Sequence, residues 1–219
     1  MAPNDRYPGA FAFPAIGESA TSPIRRRALG AAGLLALSPL TALLMPLAHA
    51  AAFPAEVLAE IRRGRVAVLM RHAATVPGTG DPPNFRLDDC STQRNLSDRG
   101  RAEARALGAR LREAGIRFDR VLTSQWCRCR ETAMLVAGRA EDWPAVNSFF
   151  EDRSTEPAQT TAARERLLAI GDGERWLVVT HQVNISALTG EFTQMGESVV
   201  VRPGGGDRAG RLEVVGRLV

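Results

Sequence analysis

The sequence predicts an α/β fold of three layers, α/β/α, around a mostly parallel central sheet. Two observations lead there. The continuous apolar runs Val66-Ala67-Val68-Leu69-Met70 and Trp176-Leu177-Val178-Val179 have the composition of strands buried on both faces. The segments between them carry helical periodicity with start and stop signals, and strands alternating with helices imply a sheet covered on both sides.

Each element follows from local chemistry. Ser97 is a helix N-cap, and Ala104, Leu107, Leu111 and Ala114 form a stripe at helical spacing that Gly115 ends. Phe118 to Leu122 reads as the next strand and Cys127 to Ala137 as the next helix. A further helix runs from about Ala158 to Ile170, and Glu197–Val201 and Arg211–Leu218 read as later strands. No repeat or linker interrupts residues 53–219, so 51–219 is expected to form one domain.

Residues 1–50 read as an export signal. Arg25-Arg26-Arg27 precedes an uncharged stretch from Ala28 to Ala48, and the Arg25-Arg26-Arg27-Ala28-Leu29 segment is similar to a twin-arginine signal. Ala48-His49-Ala50 offers small residues at the positions a signal peptidase reads, so cleavage is expected after Ala50. A retained membrane anchor is the alternative, but Pro39 and Pro46 interrupt the stretch and Ala and Gly dominate it. The expected product is periplasmic or secreted, with no stable membrane insertion after cleavage.

The formal charge of +4 and pI near 9.7 invite a nucleic-acid reading. Locating the charges weakens it. Beyond residue 50 there remain 24 basic and 22 acidic side chains, too even a balance for a phosphate-backbone footprint. No nucleic-acid partner is expected.

Histidine placement is more informative. Of the three histidines, His49 lies in the leader. His72 follows the first buried strand beside Arg71, and His181 follows the later one. Ligands of open α/β sheets bind beyond the carboxyl ends of the strands. A single histidine there is more often tied to a backbone carbonyl than functional. Two at equivalent strand ends are harder to dismiss. Arg128 falls in the first turn of the helix starting at Cys127, where backbone N–H groups already favour an anion. Arg130 lies two residues on and cannot face the same site.

These segments together resemble the histidine phosphatase superfamily, with its phosphoglycerate-mutase-like fold. Arg71-His72-Ala73 is similar to the family's arginine-histidine-glycine signature, with alanine replacing glycine. Leu96-Ser97-Asp98-Arg99-Gly100-Arg101-Ala102-Glu103-Ala104 resembles the segment opening its first helix. Ser124 through Ala133 resembles its second arginine motif, where the spacing to Thr132-Ala133 selects Arg128. Val178-Val179-Thr180-His181 resembles its second histidine motif. Four motifs in the family's order across about 62–190 are far more specific than any one of them.

The resemblance implies a phosphomonoester hydrolase without cofactor or metal, acting on a small phosphorylated substrate. His72 would be the nucleophile, Arg71, Arg128 and His181 would surround the transferring oxygens, and a carboxylic acid near Phe149-Phe150-Glu151-Asp152-Arg153 would protonate the leaving group. Glu151 is favoured over Asp152, and the flanking aromatics are expected to desolvate it, against the pull of Arg153. The long segment from Thr75 to Gln93 is expected at the pocket rim, where Asn84, Arg86 and Arg94 are read as ordinary loop polarity rather than substrate contacts. Cys90, Cys127 and Cys129 allow three pairings. A Cys90–Cys127 bridge would pin the rim over the site and leave Cys129 free and buried. Zinc is not expected, because no ligand pair has metal spacing.

Three rival readings remain: a phosphomutase using the same histidine, a non-catalytic phosphate-ligand binding protein, and a Cys–His hydrolase using Cys127 or Cys129.

Overall fold

A computed structural model describes residues 52–219, so the leader and its cleavage point lie outside the described residues. Two parallel strands position the site. β1 (Val66–Arg71) and β4 (Arg175–Thr180) are adjacent, with Arg71 in register with Thr180. Their carboxyl ends therefore stop at one edge, and the His72 amide donates to the Thr180 carbonyl at 3.0 Å. The two apolar runs became strands because both their faces are covered. Alternate residues Val66, Val68 and Met70 enter one core cluster, while Ala67 and Leu69 enter the other.

The sheet has six strands in the order β3-β2-β4-β1-β5-β6. β2 (Arg120–Thr123) and β3 (Glu141–Asp142) continue the parallel half. β5 (Ser198–Pro203) and β6 (Leu212–Leu218) run antiparallel, so the sheet is mixed, with three parallel and two antiparallel pairings. α1 (Ala55–Arg63), α2 (Asp98–Glu113) and α3 (Cys127–Ala137) cover one face, contributing Ile61, Leu111 and Val136 to its core. α4 (Glu156–Leu168) and α5 (Gln182–Thr189) cover the other through Leu167 and Ile185. The result is the expected three-layer arrangement.

Boundaries moved by one or two residues at the second strand and fourth helix. α2 starts where its chemistry says it should: the Ser97 hydroxyl accepts from the Gly100 amide at 3.1 Å. The same serine bonds the Ala74 carbonyl through both its amide and its hydroxyl. Gly100 lies so close to this segment that an added Cβ would stand 2.0 Å from the Ala74 oxygen. The serine and glycine together dock the start of α2 onto the chain just past His72.

Candidate active site

His72 and His181 meet at the strand edge with ring centroids 5.5 Å apart and planes at 67°. Both are buried. The Nδ1 of His72 lies 2.9 Å from the Ala73 carbonyl oxygen. A carbonyl can only accept, so Nδ1 carries the hydrogen and Nε2 keeps its lone pair. Burial, followed by the Arg128, Arg71 and Arg94 charges and opposed only by that backbone bond, lowers the His72 pKa to about 3. The ring is thus neutral across the physiological range, with Nε2 free to act as a nucleophile. His181 is pushed well below its ordinary value by burial first, then by Arg128 and His72. Its Nε2 is bound to the Ser124 hydroxyl at 2.8 Å.

The alanine that replaces the family glycine is accommodated without strain. Left-handed φ outside glycine occurs, among the described residues, at Arg65 and Asn84 but not at Ala73. Its side chain joins the core, and its amide donates to the Thr132 hydroxyl at 3.1 Å. Thr132 in turn donates to the Arg128 carbonyl at 2.7 Å. One threonine therefore ties the His72 segment to the helix turn bearing the arginine.

Arg71 and Arg128 share a distinctive state. Arg71 donates Nη1 to the Thr193 carbonyl at 2.9 Å, and Arg128 donates Nη1 to both oxygens of Asp81 at 2.7 and 3.0 Å. In each guanidinium the Nε is buried with no partner. Orphaned buried donors are costly, and two of them beside a pair of histidines could hold an anion. Burial and the neighbouring Arg94 and Arg128 charges lower the pKa of Arg71, another sign of crowded positive charge. Arg130, as expected, turns away to pair with Asp142 at the surface.

Asp81 was not foreseen. It sits in the rim segment, its side chain as buried as that of Arg128, and accepts from the Trp126 indole at 3.0 Å and the Arg94 amide at 2.9 Å. Burial pushes its carboxyl up, but the hydrogen bonds from Arg128 and Arg94 outweigh this and hold it below the usual range. Its only sequence signal was a lone acid between Gly80 and Pro82, typical of any turn. Arg94 also lines the cavity, while its Nε and Nη1 hold the rim through the carbonyls of Gly80 and Gly78 and the Thr75 hydroxyl. Arg86 pairs with Asp89, and neither Arg86 nor Asn84 borders the cavity.

A disulfide joins Cys90 to Cys127, the residue before Arg128, so the rim is anchored beside the site. Cys129 is free and buried. It does lie 3.5 Å from His181 Nε2, a partner the sequence reading had not supplied. Burial nonetheless raises its thiol to about 12, so it is neither ionised nor reachable, and a Cys–His hydrolase is disfavoured.

Glu151 borders the cavity, but the shielding expected for it is absent. Phe149 turns into the core, whereas Phe150 is 52% exposed and Glu151 is exposed beside it. Arg153 pairs with Glu156 instead of opposing it. Asp152 is committed elsewhere: its carboxylate accepts from the Ser154 hydroxyl and amide, and those bonds lower its pKa. Glu151 receives one long contact, from the Asp81 amide at 3.3 Å, and so has the freer carboxyl of the two.

The sequence pattern of the histidine phosphatase superfamily (branch 1) matches residues 67–152. The mitochondrial serine/threonine-protein phosphatase Pgam5 of Drosophila virilis is 40% identical over 55 residues, 25% of this chain and 19% of its own. Its Drosophila grimshawi counterpart is 32% identical over 75 residues, 34% of this chain and 23% of its own. The match thus spans about a fifth of the length of these curated relatives. A proposed alpha-ribazole-5'-P phosphatase from Escherichia coli superposes with a TM-score of 0.51 at 19% identity, covering 69% of this chain and 95% of that one. A mycobacterial glucosyl-3-phosphoglycerate phosphatase superposes with a TM-score of 0.50 at 15% identity, covering 68% and 96%. At those identities the two superpositions establish the fold.

Proposed function

From a chain that belongs to the histidine phosphatase superfamily, branch 1, we propose a phosphomonoester hydrolase that works through a phosphohistidine on His72. The observation that carries this reading is the pairing of an Nε2 lone pair, fixed by the Ala73 carbonyl, with two buried guanidinium Nε donors that have no partner. A phosphoryl dianion supplies what those donors lack, and bidentate guanidinium contacts suit its oxygens.

His72 Nε2 attacks phosphorus in line. The ester P–O bond breaks, its electron pair leaves on the alkoxide, and Glu151 supplies the proton. Water then attacks the phosphohistidine, Glu151 takes the water's proton, and the Nε2–P bond breaks to release inorganic phosphate. Splitting the displacement in two is the advantage of nucleophilic catalysis. Arg71 and Arg128 hold and neutralise the transferring oxygens, with the neutral His181 beside them as a hydrogen-bonding group, since phosphoryl transfer depends mainly on position and charge.

We also propose a periplasmic or secreted location. The Cys90–Cys127 bridge supports it, because such bonds persist in oxidising compartments. A mature amino terminus at Ala51 is the expected readout of the exported protein.

The enzymatic reading is tested with p-nitrophenyl phosphate. Phosphate release is expected from the native protein, with a fall of three or more orders of magnitude in His72→Ala and a raised KM in Arg128→Ala. Full activity in His72→Ala would refute the assignment, and transfer of the phosphate within a phosphosugar without release would indicate a mutase.

A further inference from the structure

The cavity above the histidines has a volume of about 640 Å³, far more than a phosphoryl group fills and within the range of pockets that enclose whole small ligands. Its composition divides by depth. The floor is His72, His181 and Arg128, all buried. The mouth carries Phe150 and Phe192, 52% and 60% exposed, with Met195 36% exposed. These residues come from separate segments, after β3 and after α5, yet border one opening. Large apolar side chains left in water around a binding site mark a surface that a ligand covers.

Several polar side chains of the wall are already engaged, while Glu151 keeps a freer carboxyl. The Asn147 oxygen accepts from the Gln125 amide at 2.9 Å, and its amide nitrogen donates to the Gln125 side chain at 2.8 Å. The Gln182 oxygen accepts from Thr193, and its nitrogen donates to Ser186 and the Glu191 carbonyl. Gln159 donates to the Asn147 carbonyl at 2.9 Å, and Ser148 accepts from the Phe150 amide. Even the Trp126 indole N–H is bound to Asp81, which leaves its ring as an apolar surface. A polyol meeting these engaged groups would find few free partners for its hydroxyls, and buried unpaired hydroxyls are penalised. An apolar body meets no such cost.

We infer that the preferred substrate is a phosphomonoester with an apolar body, alkyl or aromatic, which covers Phe150, Phe192 and Met195 while its phosphate occupies the floor. This inference rests on the phosphatase reading above and narrows its substrate class.

The test uses the full chain and primary alkyl phosphates from ethyl to octyl, with glycerol 1-phosphate and sorbitol 6-phosphate as polar counterparts. All have primary alkoxide leaving groups, so intrinsic reactivity is nearly constant. kcat/KM is expected to rise about twofold or more per added methylene, mainly through KM, towards a ceiling of about fourfold for full burial. Octyl phosphate should exceed sorbitol 6-phosphate by at least an order of magnitude. Joint replacement Phe150→Ser and Phe192→Ser should flatten the chain-length dependence, and Phe150→Leu with Phe192→Leu should restore much of it. A flat series, faster turnover of sorbitol 6-phosphate, or a phosphoseryl peptide preferred over octyl phosphate would each overturn the inference. Should no ester turn over, calorimetric binding of octyl phosphonate against sorbitol 6-phosphate reads the same preference, so failed hydrolysis counts against the phosphatase reading alone.

Discussion

Arg128 and Asp81 form a buried ion pair across 47 residues of chain, with Nη1 at 2.7 and 3.0 Å from the two carboxylate oxygens and both side chains at most 5% exposed. Asp81 occupies one edge of the guanidinium and leaves Nε for a ligand. Removing one member of a buried pair strands the other charge, which costs about 3–5 kcal/mol where no ligand compensates. Asp81→Ala is therefore expected to destabilise the protein by about that amount in urea unfolding, and saturating inorganic phosphate should recover part of the loss. No change in stability would mean that Arg128 is held by other contacts.

The approach of Gly100 to Ala74 gives a second expectation. An added methyl group would meet the Ala74 carbonyl at 2.0 Å, a distance that demands backbone movement. Gly100→Ala should cost more than about 2 kcal/mol as overpacking, and because the displaced segment follows His72 it should also lower kcat. Calorimetry and steady-state kinetics on one preparation read both effects. A variant of native stability and rate would show that α2 does not position the His72 segment.

How much of this was legible in the sequence depended on whether the determinant was local. β1 and β4 announced themselves because strands buried on both faces are written as unbroken apolar runs, and α3 was bounded correctly at Cys127 and Ala137. That Arg71, His72, Arg128 and His181 would border one cavity could be read because strand ends and helix starts converge in such sheets. α5 went unseen: eight residues with no side-chain cap at His181 offer little periodicity. β3 is two exposed residues whose backbone pairs with β2 and whose carboxylates meet arginines of other elements. Asp81 escaped because its meaning lies in a contact 47 residues away, and the shielding expected around Glu151 is absent because nothing local says which of Phe149 and Phe150 faces inward.

The bridge between Cys90 and Cys127 closes a loop across 37 residues. In the chain-entropy account such a constraint contributes about 3–4 kcal/mol. Cys90→Ser should lower the melting temperature by several degrees and raise KM, because the rim segment that carries Asp81 and Arg94 loses an anchor beside Arg128. Thermal scans and kinetics with and without reductant check this. The native protein under reductant should behave as the variant does, and indifference to both changes would remove the bridge from the account.

The histidines make stability depend on pH with a definite sign. His72 binds its proton at about pH 3 when folded and near 6.5 when unfolded, and His181 shifts in the same direction. Between those values the unfolded chain holds more protons, so stability rises with pH. For His72 it is fully present above about 6.5 and lost as pH falls towards 3, by about 2 kcal/mol at pH 5. His72→Asn should lose measurably less stability than the native protein between pH 7 and pH 5 in denaturant titrations. Equal losses would contradict a neutral, buried His72.

The central claim is that Nε2 of His72 carries the phosphoryl group. Rapid quenching of the enzyme with a reactive phosphomonoester under alkaline denaturing conditions preserves an acid-labile phosphohistidine for peptide mass spectrometry. The account predicts one added phosphoryl group on the peptide containing His72, absent in His72→Ala and formed fast enough to match turnover. Phosphate on His181 or Ser124, or turnover with no covalent intermediate, would contradict it.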